Sequence, residues 1–105
     1  MKNLAGSKSK ESSMTNEIQY HFVYIVECAD GSYYTGYTTD IERRLNEHNY
    51  SFTRGAKCTR SRRPVKLIHS EKYPTLSEAL KREHAIKKLS REKKQIIINE
   101  SKGEY

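Results

Sequence analysis

Long apolar runs are missing from this chain of 105 residues. None approaches the roughly 18 to 20 residues needed to cross a bilayer, and the N-terminal segment lacks the apolar stretch of a secretory signal. A membrane-spanning helix is excluded and a cytoplasmic protein is expected. Cysteine is scarce as well: Cys28 and Cys58 are the only two, and neither has a second Cys or a His at zinc-ligand spacing. Both read as reduced packing residues. Acidic residues are in deficit, with 13 Asp and Glu against 20 Lys and Arg, a net charge of +7. Such a surface attracts a polyanion, nucleic acid or an acidic membrane face; the membrane is the poorer fit, because no helix pairs a strongly apolar face with a basic one. With 34% hydrophobic beside 31% charged residues, one small domain with a modest core is expected.

Residues 1–18 are rich in Ser, Lys, Asn and Glu without hydrophobic period, too polar to offset the cost of ordering, and read as a disordered tail. Residues 19–99 form the expected domain, with a C-terminal tail over 100–105. From Tyr20 to Cys28 nearly every position is apolar or aromatic, as in a central strand covered on both faces. Ala29-Asp30-Gly31 turns the chain into a second strand over Ser32 to Thr38. Loop length decides which tyrosines share a face, because strand side chains alternate. A two-residue loop puts Tyr24 and Tyr34 on opposite faces. A three-residue loop, with Gly31 as a left-handed bulge residue, pairs Cys28 with Ser32 and Val26 with Tyr34. Tyr24 then shares Tyr34's face and stands opposite Gly36, whose missing side chain leaves room for a phenol.

Thr39-Asp40-Ile41-Glu42 has capping-box spacing and predicts a helix to about His48 or Asn49. Ile41 and Leu45 set its buried stripe, and Arg44 and His48 fall inside that stripe while Arg43 points away. Tyr50 to Pro64 reads as a long basic loop, with Arg54, Lys57, Arg60, Arg62 and Arg63 interleaved with Tyr50 and Phe52. Val65 to Tyr73 predicts a third strand, an edge, carrying Val65, Leu67 and His69 on one face. A second capping box, Thr75-Leu76-Ser77-Glu78, opens a helix with stripe Leu76, Ala79, Leu80 and Ile86; Glu83 lies near its centre and Lys87 one turn beyond. Ser90 caps a last helix, with Ile96 to Ile98 packing on the core. His21, His69 and His84 lack the paired spacing of a metal site.

If both polar-striped helices pack near the tyrosine face, Tyr24, Tyr34, Arg44, His48 and Glu83 converge. Those are parts a phosphodiester-cleaving site can use: a carboxylate for one hard cation, Arg for a phosphoryl oxygen, a phenol or imidazole to move a proton. The bland reading uses the same residues, with Arg44 and Glu83 as an interhelical ion pair, His48 as a dipole-favoured helix end and the tyrosines as hydrophobic mass. Periodicity alone favours the bland reading.

The run Phe22 to Asn49 resembles the GIY-YIG nuclease family. Phe22-Val23-Tyr24 stands where the family has its GIY triplet, Tyr34-Thr35-Gly36 where it has YIG, and the segment through Arg44 to His48 is similar to the helix bearing the family's catalytic Arg and following His. Ala79-Leu80-Lys81-Arg82-Glu83 resembles the segment presenting a metal-binding Glu. The pattern is nearest the small single-domain bacterial branch; the layout of His48-Asn49, Gly55, Thr59, Arg60, Pro64 and Glu83 also resembles the Slx-type endonuclease catalytic domain. Both triplets are degenerate, but both tyrosines and Gly36 remain, and no clear counterpart follows Glu83 for the Asn that many members carry.

The resemblance implies an α+β fold, a small three-stranded antiparallel sheet flanked by helices. It implies a metal-dependent endonuclease with one Mg²⁺ or Mn²⁺ on Glu83, acting on nucleic acid, DNA foremost. Tyr24 is the expected general base, relayed with His48; Tyr34 orients water or phosphate; Arg44 stabilises the phosphorane charge. The free phenol titrates near 10, so the cation or Arg44 is expected to lower Tyr24. Lys57, Arg60, Arg62, Arg63 and Lys87 are the expected nucleic-acid contacts, with a protein partner a source of targeting. The alternative is a non-catalytic DNA- or RNA-binding module that keeps the fold.

Overall fold

The turn after the first strand sets the register of everything else. In the computed structural model, which describes residues 19–51, 54 and 57–102, Gly31 has φ of 86°. Its N–H donates to the Cys28 carbonyl at 2.9 Å, and the Cys28 N–H donates to the Ser32 carbonyl at 2.8 Å. That is the three-residue loop with a left-handed bulge residue, a backbone conformation open to glycine at little cost. Strand β1 (His21–Glu27) therefore pairs with β2 (Tyr33–Thr38) so that Val26 faces Tyr34 and Tyr24 faces Gly36. Expectations for residues 1–18, Phe52, Gly55, residues 103–105 and the side chains of Lys57 and Cys58 fall outside the described residues.

Helix α1 (Ile41–Tyr50) follows, capped by Asp40, whose carboxylate accepts the Arg43 N–H at 3.0 Å. The cap is thus one residue later than the Thr39 box predicts, and Glu42 takes the first turn as a dipole-favoured acid. A single helical turn, α2 (Lys57–Arg60), interrupts the expected loop. Strand β3 (Lys66–Tyr73) lies on the other side of β1, giving an antiparallel sheet of order β2-β1-β3 with β3 at an edge. Helices α3 (Leu76–Lys87) and α4 (Arg91–Lys102) complete the chain, α4 running beyond residue 99. The fold class is the α+β sheet-and-helix arrangement expected.

The two faces of β1 carry two cores. Val23 and Ile25 pack with Ala79, Ile86 and Ile98, placing α3 and α4 on one face, while Tyr24, Val26 and Cys28 pack with Val65, Leu45 and Leu67, placing α1 on the other. Each of these buried aliphatics contributes roughly 1.5–3 kcal/mol. Three stripe expectations change. His69 does not share a face with Leu67, because a β-bulge lets Ile25 pair with His69 and Val26 with Leu67, which sends His69 to the α3/α4 face. On α3 the sheet-facing residues are Ala79 and Ile86, while Leu76 and Leu80 are exposed; on α4 Ile98 is buried and Ile96 is exposed.

The buried His69 closes a network on that face. Its Nε2 lies 2.8 Å from Glu71 Oε2 and its Nδ1 lies 2.9 Å from Ser101 Oγ. Arg82 donates to both Glu71 oxygens at 2.8 and 3.1 Å, and the Tyr73 hydroxyl donates at 2.7 Å. Burial acts to raise the Glu71 carboxyl, but the bonds from His69, Arg82 and Tyr73 outweigh it and hold the group down at about 2. This circuit ties α3 and α4 to the edge strand.

Candidate active site

Tyr24 stands at the middle of the central strand and is 2% exposed. A Cβ built on Gly36 would lie 2.5 Å from the Tyr24 hydroxyl oxygen and 2.6 Å from Cζ, so residue 36 must be glycine for the phenol to lie where it does. The hydroxyl reaches His48 Nε2 at 2.8 Å, and His48 Nδ1 reaches Thr59 Oγ1 at 2.9 Å. His48 and Thr59 are themselves 0% and 1% exposed. Tyr34 closes the cluster as a ring, 5.2 Å from the imidazole and 6.4 Å from the Tyr24 ring between centroids.

Arg44 comes from the same helical stripe, four residues before His48. Its guanidinium donates to Glu47 Oε1 at 2.9 Å and to the Arg54 carbonyl, and it lines the same pocket as Tyr24. Burial pushes Tyr24 up to about 12; Arg44 pulls the other way but does not win, contrary to the expectation that it lowers the group. Burial also pushes His48 down to about 4, with the Arg44 charge acting in the same direction. At neutral pH the hydrogen bond therefore joins an un-ionised phenol to an un-ionised imidazole. The Arg44–Glu83 ion pair of the bland reading does not form, since Arg44 pairs with Glu47 and Glu83 with Lys87.

Glu83 arrives from the opposite side of the sheet. The two polar-striped helices lie on different faces, so the single-sided arrangement expected for all five residues is not what forms. Four of them, Tyr24, Tyr34, Arg44 and His48, make one cluster. The Glu83 carboxylate is still near enough to raise the Tyr24 phenol, the smallest of the influences on it, and its own oxygen sits 3.1 Å from Lys87 Nζ. No group of three or more His, Cys, Asp or Glu side chains stands together among the described residues. A single carboxylate suits a hard cation such as Mg²⁺, which keeps several waters and completes its shell with substrate phosphate. The donor set fits one such ion and does not fit a protein-only cage.

The basic residues divide by what they touch. Arg63 is drawn inward, its guanidinium donating to the carbonyls of Glu47, His48 and Ser51, so it caps the C-terminal end of α1. Arg62 pairs with Asp30 at 3.2 Å and stays half-exposed, Arg60 is exposed, and Lys87 is held by Glu83. Asn49 anchors α1 to the start of β3, because its side-chain amide exchanges two hydrogen bonds with the Val65 backbone at 2.7 and 3.2 Å. Thr59 was visible in the sequence only as part of a layout; a hydroxyl on a one-turn helix gives no periodic signal.

A phenol, an imidazole and a guanidinium converge beside a mandatory glycine on an antiparallel sheet. Residues 20–95 match the model of the GIY-YIG catalytic domain, and the chain belongs to the GIY-YIG family. It is 60% identical over 81 residues to a UPF0213 protein of Haloquadratum walsbyi, covering 77% of this chain and 89% of that one. A UPF0213 protein of Staphylococcus saprophyticus is 55% identical over 80 residues, covering 76% and 95%. The solution NMR structure of protein EF2693 from E. faecalis superposes with a TM-score of 0.59 at 50% identity, covering 88% of this chain and 95% of that one. These are small GIY-YIG proteins, as the sequence pattern suggested.

Proposed function

We propose that this protein is an endonuclease that hydrolyses phosphodiester bonds in nucleic acid, DNA foremost, with a divalent cation held at Glu83. The observation that carries the reading is the Tyr24 hydroxyl, bonded to His48 Nε2 and sharing a pocket with Arg44 in a space that only Gly36 leaves open. Water attacks phosphorus as the bond to the leaving oxygen breaks. Tyr24 takes the proton of that water while its own passes to His48. Arg44 faces the charge that develops on the phosphoryl oxygens, and Tyr34 forms the aromatic wall that orients water or phosphate. A cation bound at Glu83 supplies neutralisation at the leaving oxygen.

Exposed Arg60 and Arg62 offer the sugar-phosphate backbone a first contact, and Arg63 contributes by holding the end of α1 in place. Lys87 would give up Glu83 to the cation and turn to phosphate. The test is nicking of branched, nicked and linear DNA with and without Mn²⁺, wild type beside Glu83→Ala. The variant is expected to bind DNA and not cleave it; cleavage retained in a clean preparation overturns the reading. Chelator-tolerant binding with no product from wild type on any substrate, RNA included, would instead establish a binding module.

A further inference from the structure

The buried chain Tyr24–His48–Thr59 has a direction that the distances and donor types fix. A neutral imidazole has one N–H, so of its two hydrogen bonds one is donated and one accepted. Among the described hydrogen bonds the buried phenol has one partner, His48 Nε2, and Arg44, which lines the same pocket, can only donate. The phenol's own proton then points to His48 Nε2, at 2.8 Å. The opposite tautomer would make Nε2 the donor and leave the buried phenol's proton with no acceptor among the described hydrogen bonds. Nε2 must be the bare nitrogen and Nδ1 the protonated one.

We propose that Thr59 is a positioning residue that accepts the Nδ1 proton and so holds His48 with Nε2 open to receive the Tyr24 proton. The role suits its place. At 1% exposure on α2, a turn too short to have a packing stripe of its own, it contributes a hydroxyl where a buried aliphatic would serve packing equally well. The 2.9 Å contact joins it to the imidazole across eleven residues of sequence. The helical turn thus has a use: it carries one oxygen to the back of the imidazole. When Tyr24 takes a proton from the attacking water, its own proton moves to Nε2, and the imidazolium formed donates from both nitrogens, Nδ1 to Thr59. An acceptor behind the ring stabilises that charge as well as the tautomer.

For its kinetic consequence the inference rests on the nuclease reading; the tautomer itself does not, so the two are read separately. The experiment is long-range ¹H–¹⁵N NMR of the His48 ring at neutral pH, with single-turnover cleavage across pH, for wild type, Thr59→Ser and Thr59→Val. Wild type and Thr59→Ser are expected to show a pyridine-like Nε2 and a protonated Nδ1. Thr59→Val, which keeps the shape and loses the acceptor, is expected to shift the ring toward the other tautomer or a mixture and to slow cleavage roughly 10- to 100-fold, with serine restoring most of the rate. A protonated Nε2 in wild type, or a Thr59→Val ring with unchanged nitrogen shifts, overturns the inference whether or not the protein cleaves DNA. Should Thr59→Val fail to fold, Thr59→Ala, which also lacks the acceptor, is read in its place by the same spectra, and unchanged nitrogen shifts there overturn the inference. Absence of cleavage beside the expected wild-type and valine spectra would fault the nuclease reading alone.

Discussion

Two buried histidines, His48 and His69, sit on opposite faces of one small sheet, and each has both ring nitrogens in hydrogen bonds. His69 meets a carboxylate, and that carboxylate is already held by Arg82 and Tyr73, so every charge in the group finds its opposite. His48 meets only hydroxyls, with the Arg44 charge nearby, and is kept neutral. The closed circuit stabilises structure, because its carboxylate is held by Arg82, Tyr73 and His69 together and its members come from β3, α3 and α4. The open one holds a neutral imidazole against a neutral phenol, the pair to which the proposed function gives the proton transfer. In one fold, the same residue type fastens helices on one face and lines the candidate site on the other.

Substitution separates the two faces most clearly. Tyr24→Phe removes the phenol from the open face and should cut DNA nicking at least about 100-fold while costing only about 1–2 kcal/mol for the unpaired imidazole nitrogen. Glu71→Gln on the closed face should do the reverse, lowering stability by roughly 2–3 kcal/mol with cleavage per folded molecule unchanged. Urea melts and single-turnover rates on both variants check the pair. Gly36→Ala falls between, because its Cβ would lie 2.5 Å from the Tyr24 oxygen; a stability loss of about 1–3 kcal/mol and a reduced rate are expected together.

Acid distinguishes the two histidine environments again. Folding holds His48 at about 4 against 6.5 unfolded, so the unfolded chain binds more protons between those values and stability falls as pH drops from 6.5 toward 4. Glu71, held at about 2 against 4.5, acts with the same sign in a lower window, and its contribution is lost as pH falls from 4.5 toward 2. Thermal melting across pH should show both losses. His48→Gln should flatten the upper window, and Glu71→Gln the lower. The smallest effect belongs to Leu80, exposed on α3, where Leu80→Gln should change stability by no more than about 0.5 kcal/mol and cleavage not at all.

Much of the open face was legible in the sequence because local rules fix it. Strand alternation left two loops open at Asp30-Gly31, and the three-residue one, which gives Gly36 its reason and puts Tyr24 and Tyr34 on one face, is the loop that forms. The stripe of α1 likewise put Arg44 and His48 inward. The closed face was hidden by one extra residue: the bulge beside Ile25 reverses His69, and no pattern in the third strand announces it. On α3 the leucines mislead, since Ala79 and Ile86 set the contact while Leu76 and Leu80 face water. Arg63 reads as one more base in a basic loop until its carbonyl partners are seen. That α3 lies across the sheet from α1 follows from topology, which stripe arguments do not reach.

The proposed function turns on the Tyr24 hydroxyl, bonded to His48, performing the proton transfer of a metal-dependent cleavage. Single-turnover nicking of a branched DNA substrate with Mn²⁺, wild type beside Tyr24→Phe with DNA binding measured in parallel, probes that role without an intervening step. A strong wild-type rate, a loss of at least about 100-fold in the variant, and equal binding are expected. Equal rates for the two proteins would contradict the assignment.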